Sequence, residues 1–238
     1  MIARTLTIDG QMITASEGQT VLEAARDAGI YIPTLCHIKG LSNIGACRLC
    51  LVEVVGSTKL QPACILKVSE GMEVLTNTER LQRYRKMILE LLLSERNHIC
   101  SVCVSNGHCE LQKLFTKLGI DHSRYPARNN RFYVDITHPL FGIDHNRCIL
   151  CTRCLRVCDE VEGAHTWDVA DRGEMSRMII DLNQSWGASK SCTACGKCVE
   201  VCPTGALFHK KSAVGEMEHN KEKIEFIVTA REKSQWTA

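Results

Sequence analysis

The chain has 238 residues, enough for two or three modest domains, and its formal net charge of +2 is spread over both signs. That balance carries no nucleic-acid footprint. The longest greasy stretch, residues 87–93, contains Glu90 and is far too short to span a bilayer, so neither a nucleic-acid partner nor direct membrane insertion is expected. Aromatic residues make up only 5% of the chain, so large rings contribute little to a core and something else must help hold the fold. The outlying feature is fifteen cysteines. Disulfide-rich secreted domains are short and carry even counts. This chain is long, its count is odd, and it opens on MIARTLTIDG, which has one Arg and no apolar core of a signal peptide. A cytoplasmic location is therefore expected, with the cysteines as thiolates available to metal.

Residues 1–77 read as one unit. Leu6 and Ile8 alternate with polar residues, Asp9 and Gly10 supply a hairpin turn, and Met12 and Ile13 lead back. Thr20 caps a short helix that presents Val21, Leu22, Ala24 and Ala25 and stops at Gly29. Residues 51–55 form a β-branched strand. This order resembles the β-grasp fold of plant-type ferredoxins. Residues 78–96 carry a helical stripe of Leu81, Tyr84, Ile88, Leu91 and Leu92, with the basic run Arg80, Arg83, Arg85 and Lys86 as its wet face. A cysteine-rich turn over 97–109 follows, then a short helix over 110–118 ended by Gly119; together 78–130 make a small helical domain. Phe132, Val134 and Ile136 alternate as a strand into a third unit, 131–210, which holds an internal repeat of eight cysteines. The tail, 211–238, is charged and carries a helical stripe of Met217, Lys221, Ile224 and Val228. That stripe can pack on this chain or serve as a partner-docking arm. The fold class is α+β.

The cysteines fall into four sets. Cys36, Cys47, Cys50 and Cys64 are spaced C-x10-C-x2-C-x13-C. A 2Fe-2S cluster takes four thiolates, and one close pair with two distant partners suits it. A zinc site usually offers two close pairs, and only one is present here. Gly45 and Ala46 are small enough to let backbone N–H groups approach the sulphurs. The second set, Cys100, Cys103 and Cys109, leaves a 4Fe-4S cubane one ligand short. His98 is the better-placed imidazole to complete it, because His108 adjoins Cys109 and consecutive ligands on one cluster have poor geometry. The third and fourth sets are Cys148-x2-Cys151-x2-Cys154-x3-Cys158 and Cys192-x2-Cys195-x2-Cys198-x3-Cys202-Pro203. This is the bacterial two-cluster ferredoxin run, in which the fourth cysteine ligates the other cluster. Cys148, Cys151, Cys154 and Cys202 are thus expected on one 4Fe-4S cluster, and Cys192, Cys195, Cys198 and Cys158 on another. Asp159 stands where the first run would carry proline, adding negative charge near a cluster. Every cysteine is used: one 2Fe-2S and three 4Fe-4S clusters take all fifteen and one histidine.

These motifs, in this order, resemble the iron–sulphur module shared by the large iron–sulphur subunit of complex I, the N-terminal part of FeFe hydrogenases and the diaphorase iron–sulphur subunit of bidirectional NAD(P)-linked NiFe hydrogenases. The segment 97–112, NHICSVCVSNGHCELQ, looks most like the last of these. Only Ile99 separates His98 from Cys100, which is shorter than is typical of complex I. The resemblance implies an electron-transfer subunit of a hetero-oligomeric hydrogen:NAD(P)+ oxidoreductase. Its partners would be a flavoprotein NAD(P)H-oxidising subunit and a NiFe hydrogenase small subunit, with ferredoxin as a further candidate. No G-x-G-x-x-G fingerprint, nucleophile–base pair or spare cysteine is present, so no catalytic residue is expected on this chain. The alternatives are the equivalent relay of an NAD-linked formate dehydrogenase or complex I-like enzyme, and a zinc-stabilised scaffold.

Overall fold

The structure is a computed structural model that describes residues 3–128 and 131–234; residues 1–2 and 129–130 and the last four residues of the charged tail lie outside the described residues. The chain divides into two compact units, one comprising the described residues of 1–37 and 43–89, the other 38–42 and the described residues of 90–238.

The first unit is built on a five-stranded sheet in the order β2-β1-β5-β3-β4. Strands β1 (Ala3–Ile8) and β2 (Gln11–Ser16) form the expected antiparallel hairpin, which pairs Ile8 with Gln11. Its turn puts both Asp9 and Gly10 at positive φ, as a two-residue hairpin of matching twist requires. Helix α1 (Val21–Asp27) starts with a capping box: Thr20 Oγ1 accepts from the Glu23 N–H at 3.2 Å, and the Thr20 N–H donates to the Glu23 carboxylate at 2.7 Å. The helix ends at Ala28 with Gly29 at φ +75°. Its buried face, Val21, Leu22, Ala24 and Ala25, joins Leu6, Ile8, Ile13 and Val52 in one core cluster. Strands β3 (Leu51–Val54), β4 (Gln61–Pro62) and β5 (Met72–Leu75) complete the sheet. The β1–β5 pairing is parallel and the others are antiparallel.

Helix α2 spans Glu79–Glu95, close to its expected bounds, but its buried face is rotated. Leu81, Arg85 and Leu89 are buried at fourfold spacing, as are Glu90 and Ser94, while Leu91 is 46% exposed. Arg85 does not lie on the wet face. The residue is 3% exposed because its guanidinium finds buried acceptors, with Nε donating to the Leu49 carbonyl at 3.1 Å and Nη2 to the Leu51 carbonyl at 3.0 Å. A charged group that satisfies its donors can occupy a position that hydrophobic periodicity assigns to a leucine.

In the second unit, helix α3 (Glu110–Leu118) ends at Gly119 at φ +63°, as expected. The strand at 132–136 shrinks to β6 (Val134–Asp135), and its phase is opposite to the expected one: Val134 and Ile136 are exposed and Asp135 is buried. Asp135 tolerates burial because its carboxylate accepts from the Thr137 N–H, the Thr137 hydroxyl and the Trp186 N–H. A three-stranded antiparallel sheet runs β10-β7-β6, where β7 is Phe141–Asp144 and β10 is Leu207–His209. The strand after the last cysteine run therefore pairs with the strand before the first. Strands β8 (Trp167–Ala170) and β9 (Arg177–Ile180) form a separate hairpin.

The two cysteine runs differ where Asp159 replaces proline. After helix α4 (Arg153–Arg156) the backbone stays helical as a π-turn over Val157–Glu162. After α5 (Lys197–Glu200), Pro203 follows Cys202 and the chain turns out of the helix. Tail helix α6 (Glu222–Lys233) packs on this chain: Met217 and Ile224 are buried in the core of the second unit, and Val228 packs against it. Gly40 makes room for it, since a Cβ there would meet the Val228 side chain at 2.5 Å.

Candidate metal centres

In the first unit, the loop between α1 and β3 brings Cys36, Cys47 and Cys50 towards Cys64, which follows β4. The four thiols meet as two hydrogen-bonded pairs, Cys36 with Cys47 and Cys50 with Cys64. The hydrogen bond with Cys36, then burial, pushes the Cys47 thiol well up, and the bond with Cys50 pulls the Cys64 thiol down. Two thiols per side is the donor arrangement a two-iron core asks for. Backbone donors already point at the sulphurs: the Leu35 N–H reaches Cys47 Sγ at 3.4 Å and the Cys47 N–H reaches Cys36 Sγ at 3.5 Å. Gly45 holds φ +62° beside them. Arg85, bound to the carbonyls on both sides of Cys50, places a buried cation next to this set.

In the second unit, each of the other three sets lines its own cavity. His98, Cys100, Cys103 and Cys109 line one of about 340 Å³ of atom-free space, counting what opens to solvent. His98 Nε2 is buried and has no hydrogen-bond partner. Burial, then the charges of Arg147 and Arg96, pushes its pKa down to about 4, so at neutral pH the ring is the uncharged form that ligates metal. His108 is not among the residues lining this cavity, and its Nδ1 lies 3.3 Å from Glu218. Burial raises the Cys109 thiol to about 12.

Cys148, Cys151, Cys154 and Cys202 line a second cavity, of about 350 Å³. Cys158, Cys192, Cys195 and Cys198 line a third, of about 310 Å³. The fourth cysteine of each run thus faces the cavity of the other run. Burial pushes Cys148 up to about 11 and Cys151 to about 12, and pushes Cys154 and Cys198 up as well. Thiols this hard to ionise are inert as nucleophiles, yet a bound iron core deprotonates them outright. No disulfide consumes any of them.

The residues present fit iron–sulphur clusters. Three cavities of similar size are each walled by four soft donors, and one wall contains an orphaned imidazole nitrogen. Among the described residues, no three His, Cys, Asp or Glu side chains converge closely enough for a single ion. Ligands spread around a polynuclear core need not converge in that way.

Several residues at these sites are invisible to cysteine counting. The loop 202–206 forms a wall shared by the first two cavities: Thr204 lines both, Gly205 faces one, and Cys202, Pro203 and Ala206 face the other. A Cβ on Gly205 would collide with Cys103 Sγ. Thr204 Oγ1 donates to the Arg147 carbonyl at 2.8 Å and lies 3.8 Å from Cys202 Sγ. Arg153, 1% exposed between Cys151 and Cys154, is bound by the Glu110 carboxylate at 2.8 and 3.1 Å, and Lys221 joins Glu110 at 3.2 Å. The Thr-Gly after Cys202-Pro203 is the one sequence signal for this wall; the ion pair joins residues 43 apart and leaves no local pattern.

Residues 3–79 match the 2Fe-2S iron-sulfur cluster binding domain, residues 85–124 the NADH-ubiquinone oxidoreductase-G iron-sulfur binding region, and residues 138–208 the ferredoxin-like domain of NADH-quinone oxidoreductase subunit 3. The chain is 42% identical over 205 residues to the alpha subunit of NADPH-Fe(3+) oxidoreductase from Geobacter sulfurreducens; the match covers 86% of this chain and 24% of that one, so the chain spans about a quarter of that relative's length. It is 34% identical to the gamma subunit of the NAD-reducing hydrogenase HoxS from Cupriavidus necator, with 87% of each chain covered. A chain in the crystal structure of an NAD+-reducing NiFe-hydrogenase in the H2-reduced state matches with a TM-score of 0.83 and 37% identity, over 88% of each chain. Among the described residues no helix is long and apolar enough to cross a membrane. The chain binds iron–sulphur clusters on a mixed α/β fold, with a 2Fe-2S ferredoxin domain and a ferredoxin-like 4Fe-4S region. It belongs to the family of iron–sulphur subunits of oxidoreductase complexes that includes the gamma chain of NAD-reducing hydrogenase and the large iron–sulphur subunit of complex I.

Proposed function

We propose that this chain relays single electrons between a flavoprotein NAD(P)H-oxidising subunit and a NiFe hydrogenase small subunit, in a cytoplasmic hetero-oligomer. Cys36, Cys47, Cys50 and Cys64 hold one 2Fe-2S cluster, in a domain over 1–77. His98, Cys100, Cys103 and Cys109 hold a 4Fe-4S cluster in a helical domain over 78–130. Cys148, Cys151, Cys154 and Cys202 hold a second cubane, and Cys192, Cys195, Cys198 and Cys158 a third, in a ferredoxin-like domain over 131–210. The observation that carries this reading is that three complete donor sets each wall a separate cavity.

When bound, the clusters supply one-electron redox chemistry. The chain's own residues position and tune. Backbone N–H groups of Leu35, Cys47, Leu150 and Thr166 donate to ligand sulphurs at 3.4–3.5 Å and stabilise their negative charge. Buried Arg85 and Arg153 offset the charge that thiolates bring into low dielectric. Cys195 is exposed, which gives the last set a route to the surface. Hydride chemistry on NAD(P)H and turnover of H2 belong to the partner subunits, and ferredoxin is a further donor or acceptor.

A complex I-like or formate-dehydrogenase relay is the second reading. Its complex I-like form is favoured by 41% identity to a chain of an NADH-quinone oxidoreductase from Rhizobium meliloti, over 85% of this chain. Anaerobic purification of the native complex, with metal analysis and subunit masses, separates the two. Nickel with a flavoprotein and a hydrogenase pair supports the first; molybdenum or tungsten, or a quinone-reductase set, refutes it.

A further inference from the structure

The third cavity differs from its twin in what faces its sulphurs. Trp186 is 1% exposed, and its indole Nε1–H donates to Cys192 Sγ at 3.3 Å. Trp167, 3% exposed, hydrogen-bonds Cys198 in the same set through its side chain. The two indoles meet edge to face with centroids 5.0 Å apart, and both line the cavity. Trp186 is locked from behind, because its backbone N–H donates to the buried Asp135 carboxylate at 2.7 Å. In the cavity of Cys148, Cys151, Cys154 and Cys202, by contrast, Cys148 Sγ takes its N–H from the backbone, that of Leu150 at 3.4 Å. An indole N–H is a donor only, and a buried one needs an acceptor. Here two buried indoles take cysteine sulphurs as theirs.

The geometry points to Trp167 and Trp186 as potential-setting residues of the cubane held by Cys192, Cys195, Cys198 and Cys158, an inference that rests on the ligand sets proposed above. Reduction of that cubane adds one electron and one negative charge to a core that is already anionic; no bond forms or breaks in the chain. A donor aimed at a ligand sulphur strengthens as that charge grows, so each indole favours the reduced form and raises the cubane's midpoint potential. Asp135 acts as a positioning residue through the backbone of Trp186.

The test is a potentiometric titration of the intact complex, followed by electron paramagnetic resonance on the cubane signal that Cys192→Ser abolishes. Trp186→Phe keeps an aromatic ring and removes the donor. At fixed poise it is expected to lower the reduced-to-oxidised ratio of that cubane about tenfold, about 59 mV for a one-electron couple, and to leave the other cubanes in place. Trp167→Phe shifts the same signal in the same direction. Tryptophan labelled with 15N in the indole ring gives a readout independent of folding in the variants: the reduced wild-type cubane should show a weak 15N hyperfine coupling. A wild-type signal without that coupling overturns the assignment. So does an unshifted midpoint in both variants at full iron content. Failure of the ligand reading is a different result, in which Cys192→Ser leaves every cubane signal and the iron content intact.

Discussion

The backbone N–H of Glu110 donates to the carbonyl oxygen of Pro203 at 2.9 Å, joining the residue after Cys109 to the residue after Cys202. Cys109 Sγ also lies 3.5 Å from that carbonyl oxygen. Two cavities that sequence spacing treats as separate motifs are thus walled by one loop.

Gly205 lets the same loop come close to Cys103. Its backbone lies outside the left-handed region, so Gly205→Ala adds only a methyl group, aimed at Cys103 Sγ. Overpacking of this kind costs about 1–3 kcal/mol. The expected outcome is a lower unfolding temperature and a disturbed signal from the cubane of Cys103, with the 2Fe-2S signal unchanged. Anaerobic thermal unfolding and electron paramagnetic resonance check both.

His98→Ala removes the one imidazole whose Nε2 is buried in that cavity without a partner. Iron should fall from about fourteen to about ten per chain, the sum expected for one two-iron and three four-iron clusters less one cubane. His98→Cys, which restores a ligand, should recover the missing iron. Retention of full iron in His98→Ala would move the ligand role elsewhere.

Glu110→Gln leaves the buried Arg153 without its carboxylate. Burial alone would raise the Glu110 pKa, but the hydrogen bond and charge of Arg153, then Lys221, outweigh it and hold the carboxyl below its ordinary value. A depressed folded-state pKa contributes stability above the unfolded value and loses it as pH falls through the folded one. The variant should therefore be less stable than wild type by about 1–3 kcal/mol at neutral pH. That gap should close as the pH drops below the ordinary carboxylate range, which unfolding compared at neutral and acid pH will read.

Arg85→Ala strands the carbonyls of Leu49 and Leu51, at a cost of about 1–3 kcal/mol. Arg85→Lys should recover only part of this, because one ammonium cannot reproduce the two-pronged guanidinium. Thermal unfolding of the two variants side by side measures the difference.

Three thiols within seven residues are a local signal, readable before any fold is known, and the structure brings each of the two such triads to the wall of one cavity. The hairpin at Asp9-Gly10, the Thr20 cap and the Gly119 stop were legible for the same reason, since each is set by a residue or two. Arg85 and Asp135 run against the pattern of α2 and β6 because each is a charge buried with its hydrogen bonds satisfied, and periodicity counts charge as exposure. The tail stripe of Met217, Ile224 and Val228 was visible, but not what it covers. The indole donors leave no sequence signal. Trp167 sits 31 residues before Cys198, and only the β8–β9 hairpin and the Asp135 anchor bring both rings to one cavity.

The most direct measurement is iron, acid-labile sulphide and zinc in the anaerobically purified complex, read with the paramagnetic resonance of its reduced state. A relay of four clusters requires about fourteen irons per copy of this chain, matching sulphide, one two-iron signal and cubane signals. Zinc in place of iron, with no labile sulphide, would contradict it.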